Sequence, residues 1–338
     1  MFNLFPAFQP RLDWIQLSVT TRCTAQCAYC PRTVHRSGWQ DSDMDFRMFK
    51  NFVSGLSRVE LIFLQGWGEP FLHPDFWDML GVVKKKGFMA GCTSNAVLLD
   101  SDALKKAVDS GLDVLAFSLA GTGENNDRIR KGTSYRQVRK TIEELNKIKA
   151  QKNSAAPAVH LAYMVLRSGL MDLEQLPGVI RDSGIDHAVL SSLTLPLNRE
   201  LEQEALLADS PEDYRDLKAW MSSLFSVPQL KHRVFAHFYN PFQEPGDCAE
   251  NVKNALCVSP EGRVTPCVMT QVPAGPQAGY VFRGSYHHLE QADFGSIKDQ
   301  SLKTIWHSKQ YKRFRRSLDL QTCSRCTKTR IDPVLHLD

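Results

Sequence analysis

Three cysteines near the start of the chain have the spacing of a metal-binding loop. The segment reads Cys-Thr-Ala-Gln-Cys-Ala-Tyr-Cys, so that Cys23, Cys27 and Cys30 follow a C-x3-C-x2-C pattern. A loop this short can turn three thiolates toward one point, and thiolates are the usual protein ligands of iron–sulfur clusters. A four-iron cluster held by three cysteines keeps one iron without a protein ligand. That iron is free to bind and activate another molecule.

A second group of cysteines lies in the last third of the chain. It comprises Cys248, Cys257, Cys267, Cys323 and Cys326. Four thiolates complete the coordination of an iron–sulfur cluster, but four cysteines are also a common structural zinc site. The total of nine cysteines is odd, and the chain of 338 residues is large, so metal ligation is favoured over a disulfide framework.

Six short apolar segments each precede an amphipathic segment, which is the alternation of a β/α fold. The predicted strands are Trp14–Thr20, Val59–Gln65, Phe88–Ser94, Val114–Leu119, Val159–Leu166 and His187–Ser191. The predicted helices between them are Met44–Phe52, Asp75–Lys86, Ser101–Ser110, Ser134–Ala150 and Asp172–Ser183. Repeated β-then-α units predict a parallel sheet, and six of them predict an α/β fold, namely a partial (β/α)6 TIM-like barrel.

The residues suited to chemistry follow the predicted strands, where the βα loops of a barrel carry its active site. The three cysteines follow the first strand, and the segment 66–70, Gly-Trp-Gly-Glu-Pro, follows the second. Ser94 and Asn95 end the third strand, and the segment 121–130 follows the fourth. The sequence therefore predicts one site at this end of the barrel.

The composition changes after the sixth predicted strand. We expect the partial barrel to span residues 10–197 and a helical connector to span 198–245, in which Ser210 caps a helix that begins at Pro211. The turn-rich remainder predicts a small C-terminal domain over 246–330, built from a β-hairpin and helices.

The overall composition narrows the choice of partners. A net charge of +4 is too mild to indicate nucleic-acid binding, and we expect the basic clusters to be solvated helix faces. No apolar run approaches the roughly 20 residues of a membrane-spanning helix, and no secretory signal sequence begins the chain. We therefore expect a cytoplasmic protein without a membrane partner.

The first cysteine loop, including Tyr29 directly before the third cysteine, resembles the signature of the radical S-adenosylmethionine (SAM) superfamily. The resemblance implies that the three thiolates hold a 4Fe–4S cluster and that SAM binds the open iron. Zinc is the alternative, but a structural zinc site takes four ligands. The nearest fourth candidate is His35, which is not adjacent to the loop.

Two further regions resemble SAM-contacting motifs of the same superfamily. The segment 66–70 is similar to its glycine-rich motif, which implies that Gly66, Gly68 and Glu69 contact the methionyl amine of SAM. Glycines let main chain approach a ligand closely, and a carboxylate offsets a cationic amine. The region after the fourth strand resembles that of members with an additional cluster domain. This second resemblance implies contacts from Ser118 and Arg130 to the ribose or carboxylate of SAM, and Ser94 and Asn95 are candidates of the same kind.

The last third of the chain resembles the twitch domain, a shortened SPASM domain with one auxiliary 4Fe–4S cluster. A two-residue turn at Glu261-Gly262 would place Cys267 opposite Leu256, with Cys257 on the other face of the hairpin. We therefore expect the ligands of the auxiliary cluster to be Cys248, Cys267, Cys323 and Cys326.

The resemblance implies a radical SAM oxidoreductase or maturase. Reductive cleavage of SAM would yield a 5′-deoxyadenosyl radical that removes a substrate hydrogen, and the auxiliary cluster would accept an electron. The expected electron donor is reduced ferredoxin or flavodoxin, and the expected substrate is a peptide, a protein or a cofactor precursor.

The sequence leaves the substrate and the catalytic acid or base unassigned. The first predicted strand begins near the start of the chain, which favours a free-standing partner or a small substrate over a fused leader-peptide domain. One alternative is an enzyme that oxidises a small alcohol. The other is a non-catalytic iron–sulfur or zinc protein of electron transfer or assembly.

Overall fold

The computed structural model describes residues 10–332 and a short strand at 335–336. The strands of this part of the chain are β1 (Leu12–Leu17), β2 (Gln26–Cys27), β3 (Val59–Leu64), β4 (Met89–Ser94), β5 (Val114–Leu119), β6 (Arg130–Lys131), β7 (Ala158–Val165), β8 (His187–Ser192), β9 (Val234–His237), β10 (Ala255–Val258), β11 (Val264–Thr265), β12 (Gly279–Phe282), β13 (Ser285–His288) and β14 (Leu335–His336).

Ten of these strands form one sheet, in the order β11-β10-β1-β3-β4-β5-β7-β8-β9-β14. The strands from β10 to β9 run parallel, and β11 and β14 are antiparallel at the two edges. The edge strands do not pair with each other, so the barrel is open. The predicted α/β fold with six βα units is confirmed, and a further parallel strand flanks the six on each side.

The helices cover the outer face of the sheet and the loops at its ends. They are α1 (Pro31–Val34), α2 (Phe46–Ser54), α3 (Phe76–Lys85), α4 (Ser101–Asp109), α5 (Gly123–Ile129), α6 (Tyr135–Gln151), α7 (Leu176–Asp182), α8 (Arg199–Glu204), α9 (Pro211–Phe225), α10 (Leu302–Trp306), α11 (Lys309–Ser317) and α12 (Gln321–Arg325). The 3-10 helices are Arg36–Gly38, Pro70–Leu72, Arg167–Glu174, Pro228–Leu230, Val268–Gln271 and Thr327–Thr329.

Four of the five predicted barrel helices are present with small differences at their ends. The fifth is divided into the 3-10 helix Arg167–Glu174 and α7, which begins just before Pro177. Proline lacks an N–H group, so it fits the first turn of a helix but not its interior. The first strand also differs, because β1 begins and ends earlier than predicted and Thr20 instead forms an isolated bridge with Asp43.

Local caps explain where several helices begin. The side chain of Ser210 accepts a hydrogen bond from the N–H of Asp213, with Pro211 in the first turn of α9, as the sequence predicts. Asp45, Asp100, Ser134 and Asn198 cap α2, α4, α6 and α8 in the same way.

The C-terminal region is joined to the barrel through the sheet. β10 pairs in parallel with β1, so that Leu256 lies beside Ile15. The region predicted as a helical connector contains α8 and α9 but also contributes β9, which pairs with β8. Strand addition covers backbone N–H and C=O groups that an edge strand would otherwise expose. The domain boundaries at 197 and 245 remain a prediction.

The hairpin register differs from the prediction. Cys257 lies opposite Thr265 and Val258 opposite Val264, so the predicted pairing of Cys267 with Leu256 is wrong. The loop is one residue longer than a two-residue turn, with Gly262 in the left-handed region at a φ of 88°. Because Cys267 lies two residues beyond Thr265, this register no longer separates its face from that of Cys257.

The main core lies between the sheet and the barrel helices. Ile15, Ile62, Leu115 and Leu161 are fully buried there, each on a different strand. This core holds the strands rigidly and so fixes the positions of the loops at their carboxyl ends. Among the described residues, no helix combines the length and the hydropathy needed to cross a membrane.

Candidate functional site

One cavity of about 410 Å³ lies at the carboxyl ends of the barrel strands. Both cysteine groups line it: Cys23, Cys27 and Cys30 from the first, and Cys248, Cys267, Cys323 and Cys326 from the second. Cys92 and Cys257 are buried elsewhere, in β4 and β10. The structure therefore brings together the seven cysteines expected as ligands and separates them from the other two.

The first cysteine loop is held by a short strand pair. Cys27 in β2 pairs with Arg130 in β6, and the N–H of Ala28 donates to the carbonyl of Ile129 at 2.9 Å. The N–H of Cys30 then donates to the carbonyl of Cys27 at 3.0 Å, just before α1 begins. This tight path brings the three cysteines to the same cavity within eight residues.

Two thiols of this loop, those of Cys23 and Cys30, are weaker acids than a free cysteine. Burial raises the pKa of Cys23 and raises that of Cys30 to about 12. Buried thiolates need a positive charge beside them, and a bound metal cluster supplies it. The donor set of the loop therefore fits a cluster.

Glu69 lies beneath this loop and is 2% exposed. Its two carboxylate oxygens accept hydrogen bonds from the Ser94 hydroxyl and the Asn95 N–H, both at 2.8 Å. Burial raises the pKa of Glu69 to about 7, although these two hydrogen bonds act against the rise. Glu69 is thus an oriented carboxyl group that a cationic ligand would ionise fully.

The glycines of the second motif are required by packing against the β1 loop. A β-carbon on Gly68 would lie 2.5 Å from the carbonyl oxygens of both Thr20 and Arg22, and one on Gly66 would lie 2.5 Å from the Ser18 hydroxyl. The N–H of Glu69 also donates to the Arg22 carbonyl at 2.8 Å. Close approach to the backbone at Gly68 and to the Ser18 side chain at Gly66 explains these glycines.

Tyr29 and Arg130 interact directly. A guanidinium N–H of Arg130 donates to the Tyr29 hydroxyl, and the guanidinium carbon lies 6.0 Å from the centre of that ring. The Nε atom of Arg130 is buried and has no hydrogen-bond partner among the described residues. Ser118 lines the same cavity from the end of β5. All the predicted cofactor-binding residues thus line one cavity.

Asn95 contacts the cluster loop, a role that the sequence did not single out. Its Nδ2 atom lies 3.6 Å from the Cys23 sulfur and donates to the Thr24 hydroxyl at 3.0 Å. A contact of this kind orients a thiolate ligand. The sequence signal for this role is the position of Asn95 directly after Ser94, at the end of a strand.

The four expected ligands in the second cysteine group come from three separate segments. Cys248 precedes β10, Cys267 begins the 3-10 helix Val268–Gln271, and Cys323 and Cys326 lie within and at the end of α12. Burial raises the pKa of all four thiols, that of Cys267 to about 11 and that of Cys248 and Cys323 to about 12. These thiols also require a cationic centre before they ionise.

Within the residues that the structure describes, no three His, Cys, Asp or Glu side chains are arranged to hold a single metal ion. Zinc holds four thiolates at about 2.3 Å from one centre, whereas a 4Fe–4S cluster binds each thiolate to a different iron.

Apolar side chains form part of the wall of the same cavity. The segment after β8 contributes Leu193, Leu195 and Leu197, and Met164 and Met269 add flexible thioethers. Such a wall excludes water and accepts an apolar part of a ligand. Sequence analysis did not identify these residues, because isolated leucines and methionines carry no site signal.

Family models match both cysteine regions. Residues 17–165 match the family model of the radical SAM superfamily. Residues 248–327 match the family model of SPASM, an iron–sulfur cluster-binding domain.

Characterised relatives cover most of the chain. It is 24% identical over 314 residues to the tungsten-containing aldehyde ferredoxin oxidoreductase cofactor-modifying protein of Pyrococcus furiosus. The alignment covers 90% of this chain and 83% of that protein. It is 23% identical over 340 residues to PqqA peptide cyclase of Bradyrhizobium diazoefficiens, with coverage of 94% and 79%.

A solved structure shares the fold. SuiB of Streptococcus suis bound to its precursor peptide SuiA superposes with a TM-score of 0.64 at 12% identity, over 95% of this chain and 70% of that one. SuiB is also known in complex with S-adenosylmethionine.

Proposed function

The chain belongs to the radical SAM superfamily and carries a SPASM-type domain, and we propose that it is a maturase that oxidises a peptide or a cofactor precursor. Two 4Fe–4S clusters and SAM are the cofactors of these domains. They supply reductive cleavage of SAM, removal of a substrate hydrogen atom and acceptance of one electron by the auxiliary cluster.

The observation that carries the proposal is the single cavity shared by both cysteine groups. A substrate within it would meet the SAM side and the auxiliary side at once. The substrate would lose one hydrogen atom to the 5′-deoxyadenosyl radical, which becomes 5′-deoxyadenosine. The substrate radical would then lose one electron to the auxiliary cluster and one proton to solvent or a base. The electron that cleaves SAM would come from reduced ferredoxin or flavodoxin.

Each predicted site residue has a role in this proposal. Cys23, Cys27 and Cys30 hold the first cluster, and Glu69 accepts the SAM amine while Ser94 orients it. Tyr29, Arg130 and Ser118 line the remainder of the SAM site. Gly66 and Gly68 allow the backbone beneath it to pack closely. The auxiliary cluster is held by Cys248, Cys267, Cys323 and Cys326.

Similarity to proteins that act on peptides and cofactors supports the substrate class. The relatives are named for modification of a cofactor and cyclisation of a peptide, and the fold relative binds a precursor peptide. A small alcohol is the second candidate, because a cavity of about 410 Å³ also suits a small molecule.

The proposal is tested by anaerobic turnover with SAM and dithionite. The wild-type protein is expected to form 5′-deoxyadenosine, whereas Cys30→Ala forms none and retains the iron of the second cluster. Cys267→Ala is expected to cleave SAM without releasing oxidised product. A wild-type protein that is fully loaded with iron and yields no 5′-deoxyadenosine would instead be a non-catalytic iron–sulfur protein.

Mass spectrometry of host extracts after turnover distinguishes the substrate candidates. A maturase is expected to change a peptide or cofactor fraction by loss of two hydrogens or by a new crosslink. Products confined to small alcohols would favour the second candidate.

A further inference from the structure

A lysine–glutamate ion pair lies against the second cysteine group. The Lys328 ammonium is 3.1 Å from a carboxylate oxygen of Glu250. Both residues line the cavity, and their side chains are only 16% and 34% exposed. Lys328 follows Cys326 by two residues, and Glu250 follows Cys248 by two residues, so each charge is fixed close to an expected ligand.

Backbone hydrogen bonds hold the two segments together. The N–H of Ala249 donates to the carbonyl of Lys328 at 2.9 Å, and the N–H of Gly246 donates to that of Thr329 at 2.7 Å. The Thr327 hydroxyl also donates to the Thr194 carbonyl of the barrel at 3.1 Å. The ion pair is therefore part of a built structure rather than a mobile surface contact.

The two charges are of opposite sign and lie beside the same cysteine group, since both residues line the cavity that Cys248 and Cys326 also line. A partly buried ion pair has a desolvation cost that its own attraction often only matches, so stability alone does not explain its position.

Reduction of a cluster adds one negative charge with no proton required. A nearby fixed cation stabilises the reduced form, and a nearby carboxylate destabilises it. Net charge around a cluster is one of the main determinants of its potential, along with solvent exposure and hydrogen bonds.

We propose that Lys328 and Glu250 set the reduction potential of the auxiliary cluster, with Lys328 raising it and Glu250 limiting the rise. Lys328 thereby makes the cluster a better acceptor for the electron that the substrate loses. This inference rests on the proposed function, because it requires a redox cluster at the second cysteine group.

The test is a redox titration of the holoenzyme with dithionite, followed by electron paramagnetic resonance. Recording each titration with and without SAM separates the two clusters, because SAM binds only the open iron of the first. Lys328→Gln is expected to lower the ratio of reduced to oxidised auxiliary cluster about tenfold at a fixed ambient potential, a shift of about 59 mV. Glu250→Gln is expected to shift the midpoint the opposite way, and the double variant to return toward wild type.

Two controls separate charge from structure. Lys328→Arg keeps the cation and is expected to retain the wild-type midpoint. Lys253→Gln removes the cation of an exposed ion pair with Asp247 in the same segment, where the side chains are 54% and 77% exposed, and is expected to change nothing. If Lys328→Gln does not load iron, Glu250→Gln and Lys328→Arg still carry the test.

Unchanged midpoints in both single variants with full iron content would overturn this inference and leave the proposed function intact. A shift in Lys328→Arg as large as that in Lys328→Gln would also overturn it. Zinc in place of iron at the second cysteine group would overturn both this inference and the proposed function.

Discussion

Glu69 combines burial with two hydrogen bonds, and its ionisation is therefore linked to folding. Burial raises its pKa from 4.5 to about 7, so the folded chain holds this proton more tightly than the unfolded chain does. Between these two values, stability must fall as pH rises, because the unfolded state releases the proton first. SAM would relieve this penalty by placing a cation beside the carboxylate.

For the cluster-free protein, we expect the free energy of unfolding to fall on the order of 2 kcal/mol between about pH 5 and pH 7 through Glu69. Glu69→Gln should remove this part of the slope, as measured by urea unfolding at several pH values. Glu143→Gln on the exposed side of α6 is the matched control and should keep the wild-type slope. Equal slopes in wild type and Glu69→Gln would contradict the prediction.

Gly68 makes the tightest backbone contact beneath the proposed SAM site. An alanine β-carbon would lie 2.5 Å from two carbonyl oxygens of the β1 loop, so the loop has to move. We expect Gly68→Ala to destabilise the fold by about 1–3 kcal/mol and to weaken SAM binding, measured by urea unfolding and equilibrium dialysis.

The control is Gly81→Ala in the middle of α3. An added β-carbon there meets nothing within 4 Å, and the position is exposed. Alanine should therefore stabilise the helix by about 0.5–1 kcal/mol. If both variants unfold like wild type, close backbone contact is not the reason that position 68 requires glycine.

The hairpin of β10 and β11 decides which cysteine of the last third lies away from the cavity. Its register places Cys257 opposite Thr265, and the Cys257 sulfur lies 3.9 Å from the Gln16 side chain. Cys267 instead follows β11 and lines the cavity at the start of a 3-10 helix. The turn of the chain after Thr265, and not alternation along the strand, separates the two thiols.

We expect Cys257→Ala to retain about eight irons per chain, the content of two 4Fe–4S clusters. Cys267→Ala should retain about four, because only the first cluster remains complete. Iron and sulfide analysis after anaerobic reconstitution measures both. A Cys257→Ala protein with about four irons would identify Cys257 as a ligand.

One ten-stranded sheet contains strands of both the barrel and the C-terminal region, and it couples the two. Leu256 is 1% exposed on β10, beside Ile15 of β1. Further ties cross the same boundary, such as the hydrogen bond from the Trp67 indole to the Val268 carbonyl at 3.0 Å. Unfolding of one part therefore exposes apolar surface of the other.

For the cluster-free protein, we expect Leu256→Ala to cost about 2–5 kcal/mol and to shift a single cooperative transition. Far-UV circular dichroism and tryptophan fluorescence should move to the same lower denaturant concentration. Met171→Ala, at a side chain 67% exposed, should leave the midpoint near wild type. Two separate transitions, with the barrel unaffected, would show that the regions fold independently.

The sequence by itself determined the βα order, the two cysteine groups and the candidate site residues at the strand ends. These features depend on local periodicity and on short spacings, which a chain carries whatever its tertiary packing. For this reason the sequence predicts the segments 23–30 and 66–70 and the positions of the six strands. The errors lie mainly at the ends of the elements.

Only the tertiary structure decided the features that depend on distant segments. The addition of β10 beside β1, the hairpin register at Cys257, the reason for Gly68 and the pairing of Lys328 with Glu250 all join residues far apart in sequence. No local pattern encodes such contacts, because each depends on how complete elements pack. The same packing placed both cysteine groups around one cavity.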